Sequence, residues 1–223
     1  MAKIIRKSRQ AKERAATIFL RLQEAYPNVR CTLDYKDSFQ LLIMTILAAQ
    51  CTDARVNIVC RDLFQIYKTP KNFANAAPGT LEKAIHSCGF FNQKARSIRQ
   101  SSTLLLKEYD GMVPENMEDL LRLPGVGRKI ANVVRAECFG KSSVIVDTHC
   151  KRLSNRLGFT KHTDPTHIEQ DLLALWKKEH CTLFSHFMVF HGRAVCQARS
   201  PQCTSCVVAD LCSRANFPKK VRK

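Results

Sequence analysis

The sequence predicts an all-α protein, on three observations. Apolar residues recur at spacings of three and four, helix-capping residues stand in front of those stretches, and strand signals are nearly absent. SSVIV (142–146) is the one β-branched run worth noting, and its five residues have no partner run. At 223 residues the chain can bury a real core, as one large domain or two small ones. Hydrophobic residues at 45% and charged residues at 25% belong to a folded chain rather than a disordered one.

The start, MAKIIRKSRQAKERAA, is basic but lacks the apolar core and cleavage site of a secretion signal. Glu13 and the continuation TIFLRLQEAY point to a plain first helix. No apolar run is long enough to cross a bilayer, so an intracellular protein is expected. DSFQLLIMTILAAQ (37–50), opened by Asp37 or Ser38 as a cap, is apolar enough for a central buried helix. Val56, Val59, Leu63 and Tyr67 mark an amphipathic helix after Asp53, and NQKARSIRQSSTLLLKEYD predicts another that stops at Gly111. ENMEDLLRL (115–123) and RKIANVVRAECF (128–139) read as a helix pair. In TDPTHIEQDLLALWKKEH, Asp164 caps, Pro165 takes the first turn, and Ile168, Leu172, Leu175 and Trp176 form the buried stripe. No long linker interrupts the chain, so any domain boundary lies in packing.

Lys and Arg number 36 against 19 acids, a formal +17. Such an excess favours a polyanionic partner, because neutralised phosphates release counterions; a solvated basic surface is the plainer alternative. Of 11 cysteines, seven (Cys31, Cys51, Cys60, Cys88, Cys138, Cys150 and Cys181) are scattered among apolar neighbours. They read as small buried hydrophobes in a reducing compartment.

Between the paired helices lies PGVG. Glycines allow positive φ and remove side chains, so main-chain N–H groups there can approach a phosphate, and the next helix N-terminus adds a favourable field. A simple αα-turn likes glycine too, and PGVG alone does not separate the two readings. Lys129 sits where the helix dipole disfavours an ammonium, which would free neutral amine for nucleophilic work. An ordinary exposed lysine is the competing reading. In VIVDTHCKRLSNRLG, Asp147 is placed to cap the next helix, a role compatible with a second one as a fixed carboxylate.

Cys196, Cys203, Cys206 and Cys212 are spaced C-x6-C-x2-C-x5-C. Structural zinc usually takes two C-x2-C knuckles or histidines, whereas a 4Fe–4S cluster tolerates short uneven intervals, so the spacing favours iron–sulfur over zinc. The loop QARSPQ between the first two would present Arg199 to a phosphate.

LPGVGRK, VDTH and the four cysteines, in this order, resemble the endonuclease III family. So do LLIMTILAAQCTD, CGFFNQKA and HGRAVC, and the likeness runs over nearly the whole chain from about residue 12. The resemblance implies a helix-hairpin-helix DNA glycosylase fold: a six-helix barrel module over 31–141, and an α-helical iron–sulfur cluster domain from 1–30 and 142–223, with the active-site groove between them. It implies a DNA glycosylase and abasic-site lyase that removes oxidised pyrimidines. Lys129 would attack C1′ and form a Schiff base, Asp147 would assist base loss, and β-elimination would break the strand. The flipped base would leave a hole filled by Gln50, with Phe90 as a wedge. Leu123, Pro124, Gly125, Val126, Gly127 and Arg128 would hold the backbone, with His149 and Arg199 as further DNA contacts. Cys196, Cys203, Cys206 and Cys212 would ligate the 4Fe–4S cluster.

The implied partner is double-stranded DNA with damaged pyrimidines or abasic sites, bound by a monomer in a bacterial-type cytoplasm, on the nucleoid, without membrane contact. Phe90 is bulkier than the family's usual leucine, Ile130 replaces a common threonine, and Ser200 and Gln202 stand where basic residues are frequent. The related adenine-mismatch glycosylases lack a lysine at position 129. A non-catalytic DNA-binding or redox-sensing iron–sulfur protein would leave Lys129 and Asp147 without a task.

Overall fold

Every regular element among the described residues is helical, as the periodicity predicts. The structure, a computed structural model, describes residues 8–214; residues 1–7 of the basic start and the KKVRK tail, expected to make nonspecific electrostatic contacts, lie outside the described residues. SSVIV forms no strand. Ser185 Oγ accepts from the Ile145 N–H at 2.9 Å, and Ser142 Oγ donates to the Lys178 carbonyl at 2.6 Å, so this segment is held by single polar contacts.

The chain divides into two compact units, Cys31–Lys141 and a second made from both chain ends, Met1–Arg30 with Ser142–Lys223. The first is organised round α2 (Ser38–Leu47), capped by Asp37 accepting from the Gln40 N–H. Phe39 and every residue from Leu41 to Leu47 is buried. A helix apolar on all sides must be enclosed on all sides. Here α3 (Asp53–Ile66), α6 (Phe91–Glu108) and α8 (Arg128–Phe139) do so. Burial is worth roughly 1.5–3 kcal/mol per large aliphatic side chain, so α2 anchors this unit's core. The helix expected over 37–50 ends early: the Ala48 N–H closes back on the Met44 carbonyl at 2.9 Å, and Gln50 turns to φ +53°. Shorter elements complete the unit: α4 (Pro70–Ala74), α5 (Thr80–Ile85) and α7 (Met117–Arg122).

The second unit contains α1 (Arg9–Ala25), α9 (Thr148–Arg156), α10 (Pro165–Leu173) and α11 (Cys181–Ala194). Phe19, Phe159, Trp176, Phe184 and Phe187 interlock at its centre, mostly tilted or edge-on. The predicted stripe Ile168, Leu172, Leu175 and Trp176 is buried, although α10 ends at Leu173 and the last two lie beyond it. Arg14 ties α1 to the far end of the chain, donating at 2.8 Å to the carbonyls of both Leu157 and Leu211 and lying over the Phe159 ring. Arg21 pairs with Asp210 at 2.6 Å. No helix among the described residues is long and apolar enough to cross a membrane.

In the first unit, Glu82 receives a two-pronged contact from Arg99, 2.7 Å on each oxygen, and accepts from the Gly79 N–H at the start of α5. The Arg99 hydrogen bonds foremost hold the Glu82 carboxyl down to about 2. A depressed carboxylate stabilises the fold above its ordinary range and loses that contribution as the pH falls through about 2. Glu82→Gln should therefore cost of order 2 kcal/mol at neutral pH, by urea denaturation. The gap from the parent protein should shrink as the pH is lowered below the ordinary carboxylate range.

Candidate nucleic-acid interface and metal centre

The segment joining α7 to α8 is a tight hairpin whose two glycines have different tasks. Gly125 has φ +83°, and a Cβ there would stand 2.8 Å from the Ser97 Cβ, so the fold itself demands glycine. Ser101 Oγ donates to the Pro124 carbonyl at 2.7 Å, and Leu123 and Val126 are buried, which pins the turn against α6. Gly127 has an ordinary extended backbone, and a Cβ built on it would meet nothing within 4 Å. It is the N-cap of α8 and has no side chain to close the first turn. An N-terminus left without such a cap beside open space suits an anion. Arg128 and Lys129 are the first residues of α8 and both are exposed. Lys129 thus stands in solvent in the first turn of α8, next to the glycine N-cap.

Gln50 and Phe90, also in this unit, share an unusual backbone. Both are non-glycine residues at positive φ, +53° and +47°, and both are exposed, Phe90 by 62%. Left-handed conformations cost on the order of 1–3 kcal/mol each for such residues.

In the other unit, Asp147 caps α9 as the sequence predicts, its Oδ1 accepting from the Cys150 N–H at 2.7 Å. It is half-buried. His149 stands in the first turn of the same helix, its Nδ1 3.1 Å from Arg152 Nη2.

Cys196, Cys203, Cys206 and Cys212 border one cavity of about 550 Å³, also lined by Arg156, His191 and Arg199. Among the described residues no trio of His, Cys, Asp or Glu is spaced to hold a single metal ion. Four thiols round a roomy cavity fit a multi-atom cluster better than one zinc. Arg156 Nη1 donates to Cys196 Sγ at 3.2 Å, and His191 Nε2 lies 3.4 Å from Cys206 Sγ. Burial pushes His191 down to about 4, and Tyr26 Oη meets its other ring nitrogen at 2.9 Å.

Residues 43–178 match the HhH-GPD superfamily of base excision DNA repair proteins, and residues 196–212 match the iron–sulfur binding domain of endonuclease III. The endonuclease III of Synechocystis is 49% identical over 216 residues, 96% of this chain and 99% of its own. The chain belongs to the endonuclease III family. Two solved structures, described as a non-covalent endonuclease III–DNA complex and a trapped endonuclease III–DNA covalent intermediate, each superpose with TM-score 0.87 at 40% identity. In each, 92% of this chain and 96% of the other is covered. Family membership makes this an enzyme of base excision repair, a DNA glycosylase and abasic-site lyase with an iron–sulfur cluster.

Sequence reasoning did not identify the arginines that shape the endonuclease III cysteine loop. Arg152 donates to the carbonyls of Gly192 and Cys196, and Arg156 to those of Cys196, Gln197 and Ala198, leaving Arg199 exposed beyond them. Their signal was the i, i+4 spacing in CKRLSNRL, which puts both guanidinium groups on one face of α9. The hairpin yields a separation of roles. Gly125→Ala should cost about 2 kcal/mol or more by thermal unfolding. Gly127→Ala should change stability by less than about 1 kcal/mol while weakening DNA binding in a titration.

Proposed function

We propose that this enzyme excises oxidised pyrimidines from double-stranded DNA and cuts the resulting abasic site by β-elimination through a Schiff base on Lys129. The observation that carries this reading is an exposed lysine in the first turn of α8, immediately after a hairpin whose glycine N-cap faces open space. In the proposed reaction the Lys129 Nζ attacks C1′, the glycosidic bond breaks, and the base departs with the bonding electrons and takes up a proton. The substituted nitrogen, having lost a proton, then displaces the ring oxygen: the C1′–O4′ bond breaks, O4′ takes up a proton, and the open sugar is held as an iminium that acidifies the C2′ proton. Loss of that proton expels the 3′ phosphate, and water then releases the lysine. The Asp147 carboxylate, oriented by its cap bond, would stabilise positive charge at the sugar or accept a proton.

Leu123 to Arg128 would hold the phosphate backbone through main-chain N–H groups, and His149 and Arg199 would add contacts. Gln50 and Phe90 would enter the duplex when the damaged nucleotide is extruded. The cofactor is proposed to be a 4Fe–4S cluster on Cys196, Cys203, Cys206 and Cys212, a structural centre that shapes the Arg199 loop. A 40% identical endonuclease III trapped as a covalent intermediate with DNA supports a covalent mechanism by family likeness. The enzyme would act as a monomer on chromosomal DNA in the bacterial cytoplasm.

Borohydride trapping on a duplex with one thymine glycol tests the chemistry. The parent protein should give a covalent protein–DNA band and Lys129→Gln none, while both bind the duplex. A band from Lys129→Gln of equal intensity would remove Lys129 from the reaction. Asp147→Asn keeps an oxygen for the cap, so stability should move by less than about 0.5 kcal/mol while single-turnover excision slows roughly a hundredfold. Cys203→Ser should lose iron and the brown absorbance near 400 nm expected of the cluster; a full iron complement in that variant would sink the ligand assignment.

A further inference from the structure

Lys94 is a charged residue in an unexpected place. It lies in the first turns of α6 and is only 5% exposed. Its Nζ donates at 2.8 Å to two main-chain carbonyls, those of Leu47 and Cys88. Its own N–H donates to the Phe90 carbonyl at 3.0 Å. Leu47 is the last residue of α2, three before Gln50. Cys88 ends a short 3₁₀ turn, two residues before Phe90. One ammonium thus bridges the segments that carry Gln50 and Phe90, two of the three exposed non-glycine residues at positive φ among the described residues.

Burying an ammonium is costly, and an apolar side chain of similar length would fill the same volume without that cost. The two carbonyls supply a reason. Each terminates a separate helical segment, and each would be left without a donor inside the protein. A compact three-donor cation can serve both and fix the distance between them. Two side chains that must enter a duplex together lose less to ordering when that distance is set beforehand.

We propose that Lys94 is a positioning residue for base extrusion, holding Gln50 and Phe90 as one preset pair. The proposal rests on the proposed insertion of these two side chains into the DNA. Single-turnover excision from a thymine glycol duplex, with 2-aminopurine beside the orphaned base, tests both at once in four proteins: parent, Lys94→Met, Gln50→Ala/Phe90→Ala, and the triple variant. Lys94→Met should slow excision at least about tenfold and lower the 2-aminopurine signal at saturating protein. In the double-alanine background the same change should cost less than about twofold, since its effect runs through the missing side chains. Equal cost in both backgrounds would overturn the positioning role. Parent-like excision by Gln50→Ala/Phe90→Ala would instead refute the insertion reading itself, and the proposal with it. If Lys94→Met does not fold, Lys94→Arg, which keeps a cation and its donors, carries the same cycle and should show a smaller loss with the same non-additivity.

Discussion

The enclosure of α2 is the constraint from which much of the first unit follows. A helix with no polar face gains its stability by being surrounded, and its remaining polar groups are then its own ends. Asp37 closes the first end from outside the helix. At the other, a carbonyl faces inward, and the donor that reaches it is the Lys94 ammonium. The chain leaves α2 through Gln50 in a left-handed conformation, and it enters α6 through Phe90 in another. Packing of the core and presentation of two surface side chains are therefore linked through a single buried cation.

How each helix begins separates structural work from the proposed function. Oxygen side chains close α1, α2, α3, α4, α7, α9 and α10: Ser8, Asp37, Thr52, Thr69, Asn116, Asp147 and Asp164. Among the described residues four α-helices lack a side-chain cap, with N-caps Gly79 in α5, Phe90 in α6, Gly127 in α8 and His180 in α11. Of these four, α6 and α8 are the starts at which family likeness expects DNA. Leaving a helix end without a side-chain cap forgoes roughly 0.5–2 kcal/mol, a modest sacrifice if a phosphate supplies the missing acceptor. Asp147 combines both roles, since the bond that caps α9 also fixes the direction of its carboxylate.

The cysteine-bearing unit follows a different logic. Its four thiols occupy a short segment near one chain end, and they surround a cavity rather than a packed core. Rigidity is provided from outside by arginines: Arg14 and Arg21 from α1, Arg152 and Arg156 from α9. These side chains donate mainly to main-chain carbonyls and so hold the backbone of the loop; Arg156 also donates to the Cys196 sulfur. Part of the +17 charge is thereby engaged inside the fold. Net charge alone consequently overstates the positive surface available to a polyanion.

The sequence by itself determined the helical class, the caps at Asp147 and Asp164, the hairpin between α7 and α8, and the grouping of four cysteines, and it narrowed the cap of α2 to Asp37 or Ser38. These are local properties, written in periodicity, capping chemistry and short spacings. Tertiary structure decided what depends on residues far apart in the chain. It ended α2 at Leu47, three residues before the sequence pattern stopped being apolar. It gave Gly125 a packing task against Ser97 and left Gly127 in open space, although both look alike in PGVG. It placed Lys94 against carbonyls 47 and 6 residues away, and Arg156 against a loop 40 to 42 residues away. A lysine or arginine on an amphipathic helix reads as solvated from its neighbours alone. Whether its charge meets water or a buried carbonyl is fixed only when another segment of the chain closes over it.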